Sequence, residues 1–291
     1  MTPSAPRKAL VGLIGAGIQR SLTPAMHEQE AAQHGLRLHY QLIDLDRSGV
    51  GAEVLPTLMQ AVRVMGFDGL NITYPCKQAV IPLLDELSDE ARTMGAVNTV
   101  VCRDGRLIGH NTDGAGWVEA FQRRLPGADL SRVALLGAGG AGAAIAHAAL
   151  RMGVRHLVVN DRDAAKAEEL VAALQAAHGA DRASAQADVA LALQGATGLI
   201  HATPTGMDKL PGLPLPEDLL HAGLWVADVV YFPLDTALLK AARARGCATV
   251  DGGGMAVGQA LGAFRLFTGL QPDAQRVEAH FRQMLAQRAD A

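Results

Sequence analysis

Long apolar runs are missing from this chain. No stretch of about eighteen apolar residues occurs, so neither a membrane-spanning helix nor a membrane partner is expected. Residues 1–8 carry no apolar core of the signal-peptide kind, which makes the cytoplasm the expected compartment. Cysteine is scarce: Cys76, Cys102 and Cys247 are odd in number, widely spaced and form no C-x-x-C pair. A disulfide framework and a zinc site are therefore not expected, and no metal ligands are assigned. Basic clusters are absent as well, none being longer than Arg123-Arg124, and the net charge is −3. Nucleic acid has no electrostatic footprint to bind. What remains is a 291-residue chain with 49% hydrophobic and 19% charged residues, long for one core and sufficient for two domains.

The strongest positive signal is Gly137-Ala138-Gly139-Gly140-Ala141-Gly142. It follows the apolar run Val133-Ala134-Leu135-Leu136 and opens an Ala-rich helical stretch over 143–150. Strand, glycine turn and helix in that order form a dinucleotide fingerprint. The glycines serve a tight turn, close approach of backbone to a pyrophosphate, and tight packing of helix on strand. The helix N-terminus presents unpaired N–H groups to the phosphates. A second apolar run, His156-Leu157-Val158-Val159-Asn160, ends at Asp161, an acid placed to accept the ribose hydroxyls of NAD.

Strand-like runs at 9–14, 38–42, 69–72, 97–102, 133–136, 156–159, 198–201 and 225–229 alternate with helical patterns such as 58–65, 164–178 and 236–245. Alternation of this kind predicts parallel sheets covered by helices on both faces. The fold class is α/β: an N-terminal α/β substrate domain plus a Rossmann-type doubly wound parallel-sheet domain for NAD. Domain boundaries are expected at 1–113, completed by 252–291, with the dinucleotide-binding domain inserted over 114–251. A cleft where the two meet is the expected site of a small-molecule substrate.

An earlier turn, Gly15-Ala16-Gly17-Ile18-Gln19-Arg20, mimics the fingerprint, and acids follow it at Asp44 and Asp46. Arg20 stands where the third glycine belongs, and Pro24 biases Thr23 away from helix. A hydroxyl-rich loop suits a polar, polyhydroxylated ligand better than a pyrophosphate.

For chemistry, hydride transfer at a carbonyl needs an acid or base beside the oxygen. Lys77 follows the strand 69–72 and would project from its carboxyl end into the crevice, although residue type alone favours a solvated surface lysine. Asp113 and Asn98 lie in polar loops and read equally well as turn or cap residues. His110 has no arginine and aspartate partners at the positions a histidine-based dehydrogenase needs. His27 reads as a packing residue and Cys76 as a small buried one.

Together these segments resemble the shikimate dehydrogenase family over nearly the whole chain. Ser21-Leu22-Thr23-Pro24-Ala25-Met26-His27 is similar to the family's substrate loop, and Asn71-Ile72-Thr73-Tyr74-Pro75-Cys76-Lys77 to the segment that carries its lysine. Gly95-Ala96-Val97-Asn98-Thr99 and Asn111-Thr112-Asp113-Gly114 match two further signatures. So do Ala202-Thr203-Pro204-Thr205-Gly206-Met207, Asp228-Val229-Val230-Tyr231-Phe232-Pro233 and Met255-Ala256-Val257-Gly258-Gln259-Ala260, all in the family's order. The resemblance implies NAD(P)-linked oxidation of a polyhydroxylated ring carboxylate of the shikimate or quinate type, with Lys77 and Asp113 as the acid/base pair. Ser21 and Thr23 would bind the carboxylate, and Asn71, Thr73, Asn98, Tyr231 and Gln259 the ring hydroxyls. Gly137, Ala138, Gly139, Gly140, Ala141, Asp161, Arg162, Thr203, Pro204, Met207, Val229, Gly252 and Met255 would hold the cofactor, and a homodimer is the expected assembly.

Two positions depart from the family pattern. Thr23 replaces a common serine, as in the branch that also accepts quinate. Asp161-Arg162-Asp163 replaces the N-R-T of NADP-specific members, and Asp161 repels a 2′-phosphate. NAD is thus the expected cofactor, with NADP the weaker alternative that Arg162 leaves open. The competing readings are an aminoshikimate or shikimate-only dehydrogenase, and a non-catalytic sensor that binds metabolite and nucleotide.

Overall fold

The computed structural model describes residues 7–289. Contacts divide the chain into two units, one running to Thr112 and resuming at Val257, the other Asp113–Ala256. Each is built on a six-stranded sheet.

The first unit opens with β1 (Lys8–Gly15), α1 (Thr23–Gln33), β2 (Arg37–Asp44), α2 (Leu45–Ser48) and α3 (Leu55–Met65). It continues through β3 (Gly69–Ile72), α4 (Cys76–Ala79), β4 (Glu86–Leu87), α5 (Asp89–Met94), β5 (Thr99–Arg103) and β6 (Arg106–His110). Strand order is β2-β1-β3-β5-β6-β4. The expectation of a purely parallel sheet fails here, since β5 runs antiparallel to both β3 and β6. The cause is local. Asp104-Gly105 joins β5 to β6 with φ of 52° and 75°, and two successive left-handed residues make a tight hairpin whose twist matches that of the strands. Thr23 also departs from expectation: it is the first residue of α1, and Pro24 sits in the first turn, where its missing N–H has no partner to lose.

Along β1 the side chains alternate. Ile14 packs with Leu55, Met59 and Leu70 on one face. Val11 and Leu13 pack on the other with Tyr40, Ala263 and Phe267. Period-two burial on both faces explains why this strand reads as a continuous apolar run.

The second unit comprises α6 (Asp113–Arg124), β7 (Arg132–Leu136), α7 (Gly140–Met152), β8 (His156–Asn160), α8 (Ala164–His178), β9 (Ala183–Ala185) and α9 (Val189–Leu193). It closes with β10 (Gly198–His201), β11 (Trp225–Asp228), α10 (Ala237–Ala244), β12 (Ala248–Val250) and the first turn of α11 (Gly253–Thr268). All its strand pairs are parallel, in the order β12-β11-β10-β7-β8-β9. Counted from β7 this is the doubly wound 3-2-1-4-5-6 arrangement, with the order reversing between β7 and β10. Val133 and Leu135 face Trp117, Phe121 and α7, while Ala134 and Leu136 face Leu193 and Leu238. Met255 belongs to this core, whereas Phe264 and Phe267 of the same helix pack in the first unit. The last element, α12 (Ala274–Ala289), belongs to the first unit, where Arg276 bonds the buried Glu30 of α1 at 2.6 and 2.8 Å. Among the described residues no helix is long and apolar enough to cross a membrane.

Two buried histidines set an acid limit on stability. His27 lies among Tyr40, Phe264 and Phe267, with both ring nitrogens lacking a hydrogen-bond partner. Burial pushes its pKa from 6.5 down to about 3. His147 of α7 contacts His178 of α8 at 3.0 Å, and burial, then the neighbouring His178, pushes it to about 4. Both are neutral when folded and take up a proton when unfolded, so their contribution is complete above pH 6.5 and is lost as pH falls. Burial lowers His110, His178 and His280 as well, so they add to the same fall below pH 6.5, while Glu30 and Asp44, held below their usual carboxyl range, act at lower pH. Chemical denaturation below pH 6.5 should show stability falling with a limiting slope of about 1.4 kcal/mol per pH unit for each histidine. His147→Gln should make that slope shallower. A flat profile would contradict the assignment.

Candidate functional site

In the first unit, loops distant in sequence interlock at one end of the sheet. Gly15 ends β1 so close to the loop after β3 that a Cβ there would stand 2.2 Å from the Thr73 methyl. The next residue, Ala16, donates its N–H to the Tyr74 carbonyl at 2.9 Å. Val97 donates to the Lys77 carbonyl at 2.9 Å, which ties the loop before β5 to α4. Ser21, Thr23, Thr73 and Lys77 are all partly exposed, and Tyr74 is 77% exposed.

Beneath them runs a buried polar network. The Tyr40 hydroxyl donates to Asn71 Oδ1 at 2.7 Å. Asn71 Nδ2 donates to the Asn98 carbonyl and to Thr99 Oγ1 at 3.3 and 3.2 Å. Asn98 Nδ2 donates to Thr112 Oγ1 at 2.9 Å, and Asn98 Oδ1 accepts the Thr112 N–H at 2.9 Å. The Thr112 hydroxyl bonds the Gln259 carbonyl at 3.1 Å. Asn71 and Asn98 are each 3% exposed. Both amide hydrogens of Asn71 are engaged, so what it offers a ligand is the second lone pair of its Oδ1. Neither Tyr40 nor this chain of bonds was visible in the sequence, because partners on β2, β3 and β5 share no spacing rule.

Asp44 explains the imitation turn. Its carboxylate accepts N–H groups from Gly17, Ile18 and Asp46 and the Gln19 amide, at 2.9 to 3.1 Å. Burial alone would raise its pKa, but these bonds, led by Gln19, outweigh it and hold the carboxyl below its usual range. At 5% exposure it secures its own loop and has nothing left for a ribose.

The second unit assembles the other residues. Gly137 has φ of 105°, and a Cβ on it would stand 2.8 Å from the Ala202 carbonyl and 3.1 Å from the Thr203 methyl. A Cβ on Gly142 would lie 2.0 Å from the Gly137 carbonyl oxygen, so α7 packs on the turn only without a side chain there. Gly139, the N-cap of α7, is exposed with nothing within 4 Å of its Cβ position. That open backbone fits close approach by a phosphate. Asp161 Oδ2 accepts the Ala138 N–H at 2.7 Å and Oδ1 the Asp163 N–H at 2.9 Å. A carboxylate has about four acceptor sites, so two remain for a ribose diol. Arg162 is exposed beside it. Val229 donates its N–H to the His201 carbonyl at 3.0 Å, and a Cβ on Gly252 would meet the Val229 carbonyl at 2.4 Å. Pro204, Met207 and Tyr231 are exposed on the loops after β10 and β11. Asp113 is buried as the first residue of α6.

Burial raises the Cys76 thiol beyond its usual range, consistent with a packing role for this neighbour of Lys77. Among the described residues no group of three or more His, Cys, Asp or Glu could hold a metal ion.

Residues 13–100 match the family described as shikimate dehydrogenase substrate binding domain, and residues 132–204 match NADP oxidoreductase coenzyme F420-dependent. The chain is 57% identical over 277 residues to a shikimate dehydrogenase (NADP(+)) of Streptomyces avermitilis, covering 94% of this chain and 95% of that one. It is 46% identical over 279 residues to a quinate/shikimate dehydrogenase (NAD(+)) of Corynebacterium efficiens, covering 94% and 97%. Among solved structures it is similar to a quinate dehydrogenase from Corynebacterium glutamicum in complex with NAD. There the TM-score is 0.89 at 44% identity, over 95% of this chain and all of that one.

Replacing Gly142 with alanine should cost about 1–3 kcal/mol by overpacking against Gly137. It should also weaken NADH binding, while leaving the first unit's melting unchanged. Wild-type binding and stability in Gly142→Ala would contradict the packing described.

Proposed function

The chain belongs to the shikimate dehydrogenase family, and from that premise we propose that it is an NAD-preferring dehydrogenase of shikimate or quinate. The observation that carries the reading is the interlocking of the turn after β1 and of the loop before β5 with the Lys77 segment, through the Ala16–Tyr74 and Val97–Lys77 backbone bonds. Hydroxyls on Ser21 and Thr23, and lone pairs in the Asn71–Asn98 network, suit a carboxylate and a ring polyol. Tyr231 and Gln259 complete the hydroxyl contacts in this reading.

The relatives' names divide between NADP and NAD. Asp161 favours NAD, because a carboxylate fixed on the Ala138 N–H meets a ribose diol with lone pairs and a 2′-phosphate with repulsion. The glycine turn, Asp161, Arg162, Thr203, Pro204, Met207, Val229, Gly252 and Met255 would hold the dinucleotide. When bound, its nicotinamide supplies the hydride acceptor. The chain's own task is the proton. As the carbinol C–H leaves as hydride, the O–H proton passes to the Lys77 amine; in the reverse direction the ammonium returns it to the carbonyl oxygen. Asp113 is the second member of the acid/base pair in this reading. Cytoplasmic location and assembly as a homodimer are parts of the same proposal.

Purified protein with NAD and shikimate or quinate should generate the absorbance of reduced cofactor. Lys77→Ala should lower kcat by about 10²–10⁴-fold, the range for one general acid–base group. Full activity in Lys77→Ala would sink the mechanism. Cofactor binding without turnover of any ring acid would point to a sensor instead.

A further inference from the structure

A buried polar chain lies at the carboxyl ends of β10 and β11. Their last residues, His201 and Asp228, are register partners across the sheet, and both side chains are fully buried. Asp228 Oδ1 lies 2.9 Å from His201 Nδ1 and accepts the Val230 N–H at 3.0 Å. Its Oδ2 accepts the Thr236 hydroxyl at 2.7 Å. The Thr236 oxygen in turn accepts the Leu239 N–H at 3.2 Å and caps α10. The backbone N–H and the hydroxyl are both donors to Asp228, so the carboxylate serves as acceptor throughout.

A neutral imidazole has one donor nitrogen and one acceptor nitrogen. Asp228 takes the donor, Nδ1–H. Nε2, 2.5 Å from Thr203 Oγ1, is then the acceptor, and the Thr203 hydrogen points at it. The Thr203 oxygen also accepts the Thr205 N–H at 3.3 Å. With its hydrogen engaged, the Thr203 hydroxyl presents a lone pair to any ligand.

The position of Thr203 gives that polarity a use. It is partly exposed, and its methyl packs against Gly137, the first glycine of the turn. Gly137 follows β7 and Thr203 follows β10, the adjacent strands between which the sheet order reverses. Open α/β sheets bind ligands at such a switch point.

We propose that His201 and Asp228 are positioning residues that fix the Thr203 hydroxyl as a hydrogen-bond acceptor toward the dinucleotide. They thereby select a donor on its nicotinamide half, the carboxamide N–H₂ or a ribose hydroxyl. The inference rests on the dinucleotide reading given above. Both residues act through Thr203. Without them its hydroxyl would rotate and could donate as readily as accept.

The test measures dissociation constants of wild type, Thr203→Val, His201→Phe and the double variant. The ligands are NADH, its acetylpyridine analogue, which lacks the carboxamide donor, ADP-ribose, which lacks the nicotinamide, and ADP, which also lacks that half's ribose. Thr203→Val should weaken NADH about three- to tenfold, the range for one neutral hydrogen bond. His201→Phe should weaken it at least as much, and the double variant no more than the worse single one. A penalty that vanishes with the acetylpyridine analogue identifies the carboxamide as donor; one that persists with ADP-ribose and vanishes with ADP identifies the nicotinamide-side ribose, and one that persists with ADP overturns the assignment to that half. Where His201→Phe does not fold, the isosteric Asp228→Asn replaces it with the same expectation, since an amide cannot accept on both terminal atoms. Unchanged NADH affinity in Thr203→Val overturns the proposal, as do additive penalties in the double variant. A wild-type protein that binds no dinucleotide would refute the functional reading instead.

Discussion

In each unit a carboxylate at the end of the second strand reaches across to the first and accepts N–H groups from its glycine turn. In the first unit Asp44, paired in register with Gly15, holds the N–H groups of Gly17 and Ile18. In the second, Asp161 follows β8 and holds the N–H of Ala138. The device is the same, and its degree of saturation differs. Asp44 accepts four donors and is buried, so its turn is closed on itself. Asp161 accepts two and is half-exposed, so its turn is held in shape while lone pairs remain for a ligand. The two look-alike turns thus differ in the number of acceptor sites their carboxylates leave open.

Much depends on these clamps. Holding the second turn places Gly139 as an open N-cap and lets Gly142 bring α7 against the Gly137 carbonyl. Beyond the first, Ser21 turns back on Ile18 and Thr23 opens α1. The buried amides then carry rigidity inward, from Asn71 through Asn98 to Thr112, immediately before Asp113. Polar groups this deeply buried stabilise a single arrangement because each unmade bond would cost about 1–3 kcal/mol. Such rigidity suits a site that must discriminate among ring hydroxyls.

The sequence made legible whatever is encoded locally. The strand–turn–helix–strand–acid order at 133–161 marked the dinucleotide unit, and 69–72 and 198–201 match strands to the residue. The antiparallel hairpin at Asp104-Gly105 was equally local and passed unnoticed: the Asp-Gly pair was a usable signal. Pro24 disfavours helix at the residue before it but is also favoured in a helix's first turn, and at Thr23 the second effect prevails. The polar networks could not be read, because they join residues far apart in the chain through strand register alone. His201 and Asp228 left one trace, a polar residue at the end of each of two apolar strands.

The central claim is that the carboxylate fixed on the glycine turn makes this an NAD enzyme. Its most direct test is kcat/KM for NAD and for NADP, each with shikimate and with quinate. NAD should be preferred by about tenfold or more with either acid, the factor that about 1.4 kcal/mol of repulsion at the 2′-phosphate would give. A kcat/KM for NADP equal to or above that for NAD would contradict it.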